Sequence, residues 1–212
     1  MKVFIIHYKK LVDRKKHILK QLQINNITDY EFIEIDRDEL YDHDINIFEE
    51  NFNKSQIAIF LSHLYAYKQI SKNYDNALIF EDDVILCENF SEILNKYINQ
   101  LPEDYDMLFI GDGCNLHIEK HKLTPNNNIY EKCVEYTEWG GGGATRCTDS
   151  YIVNKNCALK LCNYINNLQS KIDLPIDWWL NIASGDNKLK IYLTEPTIVT
   201  QGSENGYFET SH

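Results

Sequence analysis

The feature that most constrains the fold is an alternation of short apolar runs with amphipathic helical segments along the whole chain. β-branched and aromatic residues dominate the short runs, which predicts buried strands, and the longer segments carry apolar residues at helical spacing, which predicts helices. The predicted strands cover residues 3–6, 32–35, 77–80, 106–110, 151–153 and 190–193; the predicted helices begin near 13, 55, 91, 156 and 175. This alternation predicts an α/β fold, a mainly parallel sheet with helices on both faces.

Length and charge narrow the functional classes. A chain of 212 residues favours a single domain over residues 1–212. Its formal net charge of -11 disfavours binding to nucleic acids or anionic lipid surfaces. The opening residues do not resemble a signal peptide and no stretch predicts a membrane span, so we expect a cytoplasmic protein. The six cysteines lack zinc-ligand spacing and are expected to be reduced, while the oligomeric state is not predicted.

Three successive acids, Glu81, Asp82 and Asp83, follow the apolar run at 77–80. In an extended segment Glu81 and Asp83 point to one face and Asp82 to the other. Ligands of parallel α/β sheets bind beyond the carboxyl ends of strands, and Mg²⁺ or Mn²⁺ prefers oxygen ligands such as these. The triplet therefore predicts a metal and nucleotide site, with a solvated acidic turn as the alternative.

Other segments have both functional and structural interpretations. His63 lies within an apolar helix, where a histidine is more often a hydrogen-bonded core residue than a ligand. The glycine run at 140–143 permits close approach to a ligand or forms a simple turn. Asp177 precedes two tryptophans, a pattern that suits a base beside an aromatic sugar platform or an acid at a helix N-terminus.

Taken in order, these motifs resemble glycosyltransferase family 25, which includes lipooligosaccharide and procollagen galactosyltransferases. The opening strand followed by Asp13 and Arg14, the helix at 61–64 and the strand end at 79–84 match its pattern. Further matches are the segment at 150–161, the Pro-x-Asp at 175–177 and the tail at 209–211. His7 and Tyr8 stand where the family usually has Asn-Leu.

The resemblance implies a GT-A-type, Rossmann-like fold, a UDP-galactose or UDP-glucose donor, Mn²⁺ (or Mg²⁺) and inversion at the anomeric carbon. Asp83, with Glu81, is the expected metal ligand. The catalytic base is expected to be Asp177, followed by Asp149 and Glu209 as second choices. The expected nucleotide-sugar contacts are His7, Tyr8, Arg14, Ser62, His63, Glu81, Asp82, Gly142 and Gly143.

The acceptor remains open between a glycan and a protein, with the tail favouring a collagen-like hydroxylysine. Two other functions compete with hexosyl transfer. A metal-dependent nucleotidyltransferase would need a glycine-rich basic loop after the first strand, and the chain has Lys9 and Lys10 there but no glycine. A catalytically inactive glycan-binding module is the second alternative, and the intact acids at 81–83 and 177 argue against it.

Overall fold

The computed structural model of the protein describes residues 1–113, 115–132 and 146–209. Nine strands lie in these ranges: β1 (Lys2–Ile6), β2 (Tyr30–Ile33), β3 (Asn76–Glu81), β4 (Val84–Leu86), β5 (Met107–Phe109), β6 (Ile129–Glu131), β7 (Ser150–Asn154), β8 (Ile191–Thr194) and β9 (Val199–Gln201). The helices are α1 (Val12–Ile24), α2 (Asp42–Ile45), α3 (Lys54–Asn73), α4 (Phe90–Ile98), α5 (Lys155–Asn166) and α6 (Ile176–Asp186), with a 3₁₀ turn at Lys120–Lys122.

Seven strands form one sheet in the order β2-β1-β3-β7-β5-β8-β6. Strands β2, β1 and β3 are parallel, β7 runs antiparallel to both β3 and β5, and β8 is parallel to β5 but antiparallel to β6. Five of the seven strands therefore share a direction, and the predicted mainly parallel sheet is confirmed. The register of β1 and β3 sets Ile6 beside Glu81, so both strands end at the same edge.

Helices cover both faces, as predicted. Alternate residues of each strand enter two separate apolar cores because successive side chains of a strand point to opposite faces. Phe4 and Ile79 pack into the core beneath α3, α5 and α6, whereas Ile5 and Leu78 pack into the core beneath α1 and α4. Both cores are anchored in the same strands, which fixes the strand ends relative to the helices above and below them.

Two helices begin one residue before their predicted positions. Helix α1 begins at Val12 after Leu11, so Asp13 lies in its first turn. Helix α3 begins one residue before the predicted Ser55, because the Asn53 side chain accepts a hydrogen bond from the Gln56 main chain and caps it. A side chain that satisfies a first-turn N–H fixes where a helix begins.

A two-stranded ribbon of β4 and β9 was not predicted. Its antiparallel pairing joins residues 84–86 to 199–201, and both segments lie outside the predicted strands. The main-chain N–H of Gly202 donates to the Asp83 carbonyl at 2.9 Å. The ribbon therefore holds the tail against the acidic triplet.

Candidate functional site

A cleft opens at the carboxyl ends of β1 and β3, between the start of α1 and the first half of α3. Seven of the predicted site residues line it: His7, Tyr8, Arg14, Ser62, Glu81, Asp82 and Asp83. Apolar and polar residues that the sequence did not single out complete the lining: Ile6, Leu11, Ile35, Arg37, Ser55, Ala58, Ile59, Gln201, Ser203 and Glu204. The site thus lies where a parallel α/β sheet ordinarily binds its ligand.

Asp82 is bound on both carboxylate oxygens. His7 Nδ1 lies 2.7 Å from Asp82 Oδ2, and Arg14 Nη1 donates to Asp82 Oδ1 at 2.9 Å. Arg14 is itself buried, donates through Nη2 to the main-chain oxygen of Glu209, and lies over the ring of Phe208. Asp82 therefore links the end of β1 to α1 and, through Arg14, to the tail. The predicted alternation of faces does not extend to Asp82 and Asp83, because both lie in the turn after β3, and Arg14 contacts both carboxylates.

Asp83 has a different environment. It is buried, its Oδ2 accepts a hydrogen bond from the Ser203 main chain at 3.2 Å, and Arg14 Nη1 lies 3.7 Å from that same oxygen. Its Oδ1 is buried without a hydrogen-bond partner. Burial raises the pKa of Asp83, and the nearby Glu81 carboxylate raises it further. A buried acceptor without a donor is costly, and a cation is one way to satisfy it.

Glu81 is more accessible to solvent than Asp83. Its side chain is 23% exposed, and its Oε1 accepts a hydrogen bond from Thr148 Oγ1 at 3.0 Å. Among the described residues no group of three or more His, Cys, Asp or Glu is arranged around a single metal position. Glu81 and Asp83 still fit Mg²⁺ or Mn²⁺, because such ions commonly use one or two carboxylates and take their other ligands from water and substrate phosphates.

Asp149 lies behind the acidic triplet rather than in the cleft. It is 1% exposed, and Ser150 Oγ donates to its Oδ2 at 2.8 Å. A Cβ atom on Gly111 would lie 2.1 Å from the same oxygen, so only glycine leaves room for the carboxylate. Burial raises the pKa of Asp149 well above its ordinary value. The structure thus encloses this predicted catalytic residue.

Asp177 occupies the first turn of α6, where its Oδ1 accepts a hydrogen bond from the Trp178 main chain at 2.9 Å. Burial raises its pKa, with smaller opposing effects from Glu81, which raises it, and His63, which lowers it. Asp177 is not among the residues that line the cleft. Of its two tryptophan neighbours, Trp179 packs on Phe60 in the core, whereas Trp178 is 42% exposed.

The remaining predicted residues lie apart from the cleft or outside the described chain. His63 is wholly buried and is not among the lining residues. Glu209 is exposed, and its main-chain oxygen accepts a hydrogen bond from Arg14. Gly142 and Gly143 fall outside the described residues, so their predicted role stays a prediction.

Two arginines were missed by sequence reasoning. The Arg37 guanidinium lies 4.2 Å from the centre of the Tyr8 ring at the cleft, and its Nη1 donates to Ser55 Oγ. Arg146 is buried and bonds Glu195 and the main-chain oxygen of Thr194. Both are single basic residues in irregular segments, and the sequence offers no local period that would mark them.

Comparisons with known proteins show the family of the chain. The family described as "Glycosyltransferase family 25 (LPS biosynthesis protein)" matches residues 1–179. A protein of Acanthamoeba polyphaga mimivirus that is named as a glycosyltransferase is 28% identical over 65% of this chain and 44% of its own length. Lipooligosaccharide biosynthesis protein lex-1 of Haemophilus influenzae is 27% identical over 70% of this chain and 49% of its own. The chain thus spans about half the length of these curated relatives.

Among solved structures, the galactosyltransferase LgtC in complex with donor and acceptor sugar analogs superimposes with a TM-score of 0.54. The likeness covers 95% of this chain and 86% of that one at 10% sequence identity. At that identity the likeness shows the fold, which is the predicted GT-A-type α/β arrangement.

Proposed function

The chain belongs to glycosyltransferase family 25, and from that membership we propose that residues 1–212 form one domain that transfers a hexose from a UDP-sugar. The hexose is galactose or glucose, the acceptor group is a hydroxyl, and the reaction uses a divalent cation and inverts the anomeric carbon. The observation that carries this proposal is the buried, unpaired Oδ1 of Asp83 in a residue that lines the cleft at the strand ends.

The charges in the cleft support an anionic donor only together with a cation. Asp82 pairs closely with Arg14 and is hydrogen-bonded to His7, whereas Asp83 has only the longer 3.7 Å approach of the same Arg14, and Glu81 pairs with no Arg or Lys among the described residues. Two carboxylates with so little compensation would repel a diphosphate. The apolar side chains of Leu11, Ile35 and Ile59 offer a wall for a nucleoside, with Tyr8 and Arg37 beside them.

Asp83 and Glu81 are the residues that would hold the cation. Their oxygen chemistry, the buried Oδ1 of Asp83 and the proximity that raises its pKa all fit a hard divalent ion. When bound, such an ion supplies positive charge that offsets the charge on the departing diphosphate. Thr148 keeps Glu81 in place, and the Ser203 main chain does the same for Asp83.

Asp177 is the proposed catalytic base. It takes the proton of the acceptor hydroxyl while the hydroxyl oxygen bonds to the anomeric carbon and the bond from that carbon to the diphosphate breaks, which releases UDP. Burial raises its pKa, and its side chain in the first turn of α6 is partly accessible. The enclosure of Asp149 favours Asp177 over that candidate, and Glu209 contacts the cleft residue Arg14 through its main-chain oxygen rather than its carboxylate.

We propose a saccharide as the acceptor. The Haemophilus influenzae relative is named for lipooligosaccharide biosynthesis, and LgtC was solved with an acceptor sugar analog. The collagen-like acceptor suggested by the tail has no support among these relatives.

Contacts of the first loop argue against nucleotidyl transfer. Lys9 pairs with Asp36 and Glu39, and Lys10 pairs with Asp38, so both lysines are engaged by acids rather than presented to a phosphate chain. The glycan-binding module remains the second alternative, and it predicts sugar binding without turnover.

UDP release from UDP-galactose and UDP-glucose, measured with Mn²⁺ and with EDTA, tests the proposal. We expect release that depends on Mn²⁺ and is lost in Asp83→Asn. Asp13→Asn is the matched control, because Asp13 has a side chain that is 90% exposed and pairs only with Lys16 in the described contacts. Pyrophosphate release would indicate the nucleotidyltransferase, and sugar binding without turnover would indicate the binding module.

A further inference from the structure

A buried chain of hydroxyl groups ends on His63. The Tyr67 hydroxyl lies 2.7 Å from the Tyr151 hydroxyl, and the Tyr151 hydroxyl lies 2.6 Å from His63 Nδ1. All three side chains are fully buried. They join the middle of α3 to β7. Strand β7 pairs with β3, the strand that ends in Glu81.

Each of these groups has a limited number of protons, so the direction of the hydrogen bonds can be derived. Burial raises the pKa of both tyrosines, which keeps each hydroxyl protonated. If His63 Nδ1 donated to Tyr151, Tyr151 would donate to Tyr67, and the Tyr67 proton would have no acceptor among the described contacts. If Tyr67 donates to Tyr151 and Tyr151 donates to Nδ1, every hydroxyl proton is satisfied.

This direction fixes the histidine tautomer. Nδ1 accepts, so the remaining ring proton is on Nε2. His63 Nε2 is buried without a hydrogen-bond partner, and the acidic oxygen nearest to it in the described contacts is Glu81 Oε1 at 3.7 Å. The opposite tautomer would turn a nitrogen lone pair toward a carboxylate oxygen, which is repulsive.

We propose that His63 is a positioning residue, whose Nε2–H, fixed by the Tyr67–Tyr151 pair, orients the Glu81 carboxylate in the cleft. The role rests on the proposed function, because Glu81 matters to the reaction only as part of the donor and metal site. Thr148 Oγ1 donates to the same Oε1 at 3.0 Å, so this oxygen of Glu81 lies between a hydroxyl donor and the His63 Nε2–H at 3.7 Å.

The tautomer can be measured without substrate. In protein labelled with ¹⁵N-histidine, the ring nitrogens report directly which one carries the proton, and the His63 signals are identified by their loss in His63→Gln. We expect Nδ1 unprotonated and Nε2 protonated in the wild type, and a loss of that preference in Tyr151→Phe. A protonated Nδ1 in the wild type overturns the proposal.

Activity supplies the second readout. Tyr151→Phe removes the donor to Nδ1, and supporting partners of this kind typically contribute roughly 10- to 100-fold to activity. We expect kcat for UDP release to fall by roughly that factor with little change in the KM for donor. His63→Gln, whose amide can present an N–H near the Nε2 position, should retain more activity than His63→Leu.

Tyr97→Phe is the matched control. Tyr97 is 2% exposed and its hydroxyl donates to the Pro196 main chain at 2.9 Å, so this variant also loses one buried hydrogen bond, in the other core. We expect a similar loss of thermal stability and full activity. Equal activity losses in Tyr97→Phe and Tyr151→Phe would mean a purely structural role and overturn the proposal. Absence of UDP release from the wild type would instead reject the proposed function, and the tautomer measurement would still decide the hydrogen-bond assignment.

Discussion

At the residue scale, three consecutive carboxylates have three different environments. Glu81 is partly exposed, Asp82 is paired with His7 and Arg14, and Asp83 is buried with one oxygen unpaired. A charge that is buried and paired stabilises its partners, whereas a charge that is buried and unpaired destabilises the fold unless a ligand satisfies it. The same substitution should therefore cost very different amounts of stability at neighbouring positions.

The first prediction compares Asp82→Asn with Asp83→Asn. Removing the Asp82 charge leaves the buried Arg14 with only the more distant Asp83 carboxylate at 3.7 Å, and the loss of one partner from a buried pair costs about 3 kcal/mol or more. Asp83→Asn should cost less than about 1 kcal/mol, because the lost charge was itself disfavoured by burial. Urea unfolding of both variants measures the difference. Equal destabilisation would contradict the division of roles between the two acids.

The second prediction concerns Asp177. Asp177→Asn should abolish transfer, with a loss of roughly 100-fold or more in kcat, because removal of a general base typically has that effect. Donor binding should be retained, since the donor lies against β1 and β3 in our proposal. Asp186→Asn, at the other end of the same helix, is the control, and its hydroxyl partner Tyr164 lies outside the cleft. Near-normal turnover in Asp177→Asn would exclude Asp177 as the base.

At the element scale, the β4–β9 ribbon decides how the tail meets the site. Gly202 follows β9 and donates to the Asp83 main chain, and Ser203 donates to the Asp83 side chain. A two-stranded ribbon of three residues per strand is too short to be stable alone. The ribbon is held by its packing on the larger sheet and in turn holds the acidic triplet.

The third prediction tests this contact with two glycines. A Cβ on Gly202 would lie 2.5 Å from the Asp83 carbonyl and 2.8 Å from the Phe208 ring, so Gly202→Ala forces the tail away. We expect a loss of about 2 kcal/mol in unfolding free energy, as for other overpacked sites, and weaker Mn²⁺-dependent activity.

Gly185→Ala is the control for that prediction. Gly185 lies in α6 and its added Cβ would meet nothing within 4 Å. Alanine is favoured over glycine in helices by about 1 kcal/mol, so this variant should be slightly more stable than the wild type. If Gly202→Ala lowers the unfolding free energy no more than Gly185→Ala does, the ribbon contact is unimportant.

At the scale of the whole molecule, one sheet is packed between two apolar cores, and the cleft lies at its edge. None of the described helices is long and apolar enough to cross a membrane. Strands β1 and β3 belong to both cores, so the positions of Ile6 and Glu81 are fixed by packing on two faces. A ligand in the cleft contacts elements from both layers and should stabilise the entire fold.

The fourth prediction follows from this coupling. UDP-galactose with Mn²⁺ at 100 times its dissociation constant should stabilise the protein by about 2.7 kcal/mol. For a chain of this length that corresponds to a rise of roughly 5–10 °C in melting temperature. The rise should be lost with EDTA and absent with GDP-mannose. An equal rise in EDTA would contradict the role of the cation in donor binding.

Much of the fold and part of the site could be predicted from the sequence. The sequence predicts the acids at the end of β3, but the strand period does not separate Asp82 from Asp83, because both lie in the turn after β3 and contact the same Arg14. The sequence could not show that Asp149 is enclosed beside Gly111, because this contact depends on how strands β5 and β7 pair. The sequence also did not identify Arg37. This residue is a single basic residue in an acidic loop, and its guanidinium packs on the Tyr8 ring.

The sequence by itself determined the sheet, the two covered faces and the location of an acidic site at the end of β3, because side-chain periods of 2.0 and 3.6 residues act over short distances along the chain. Only the tertiary structure decided which acid is paired and which is left for a ligand. The partners of Asp82 are 68 and 75 residues away, and the Ser203 donor to Asp83 is 120 residues away. Such contacts depend on the packing of whole elements, and no local pattern encodes them.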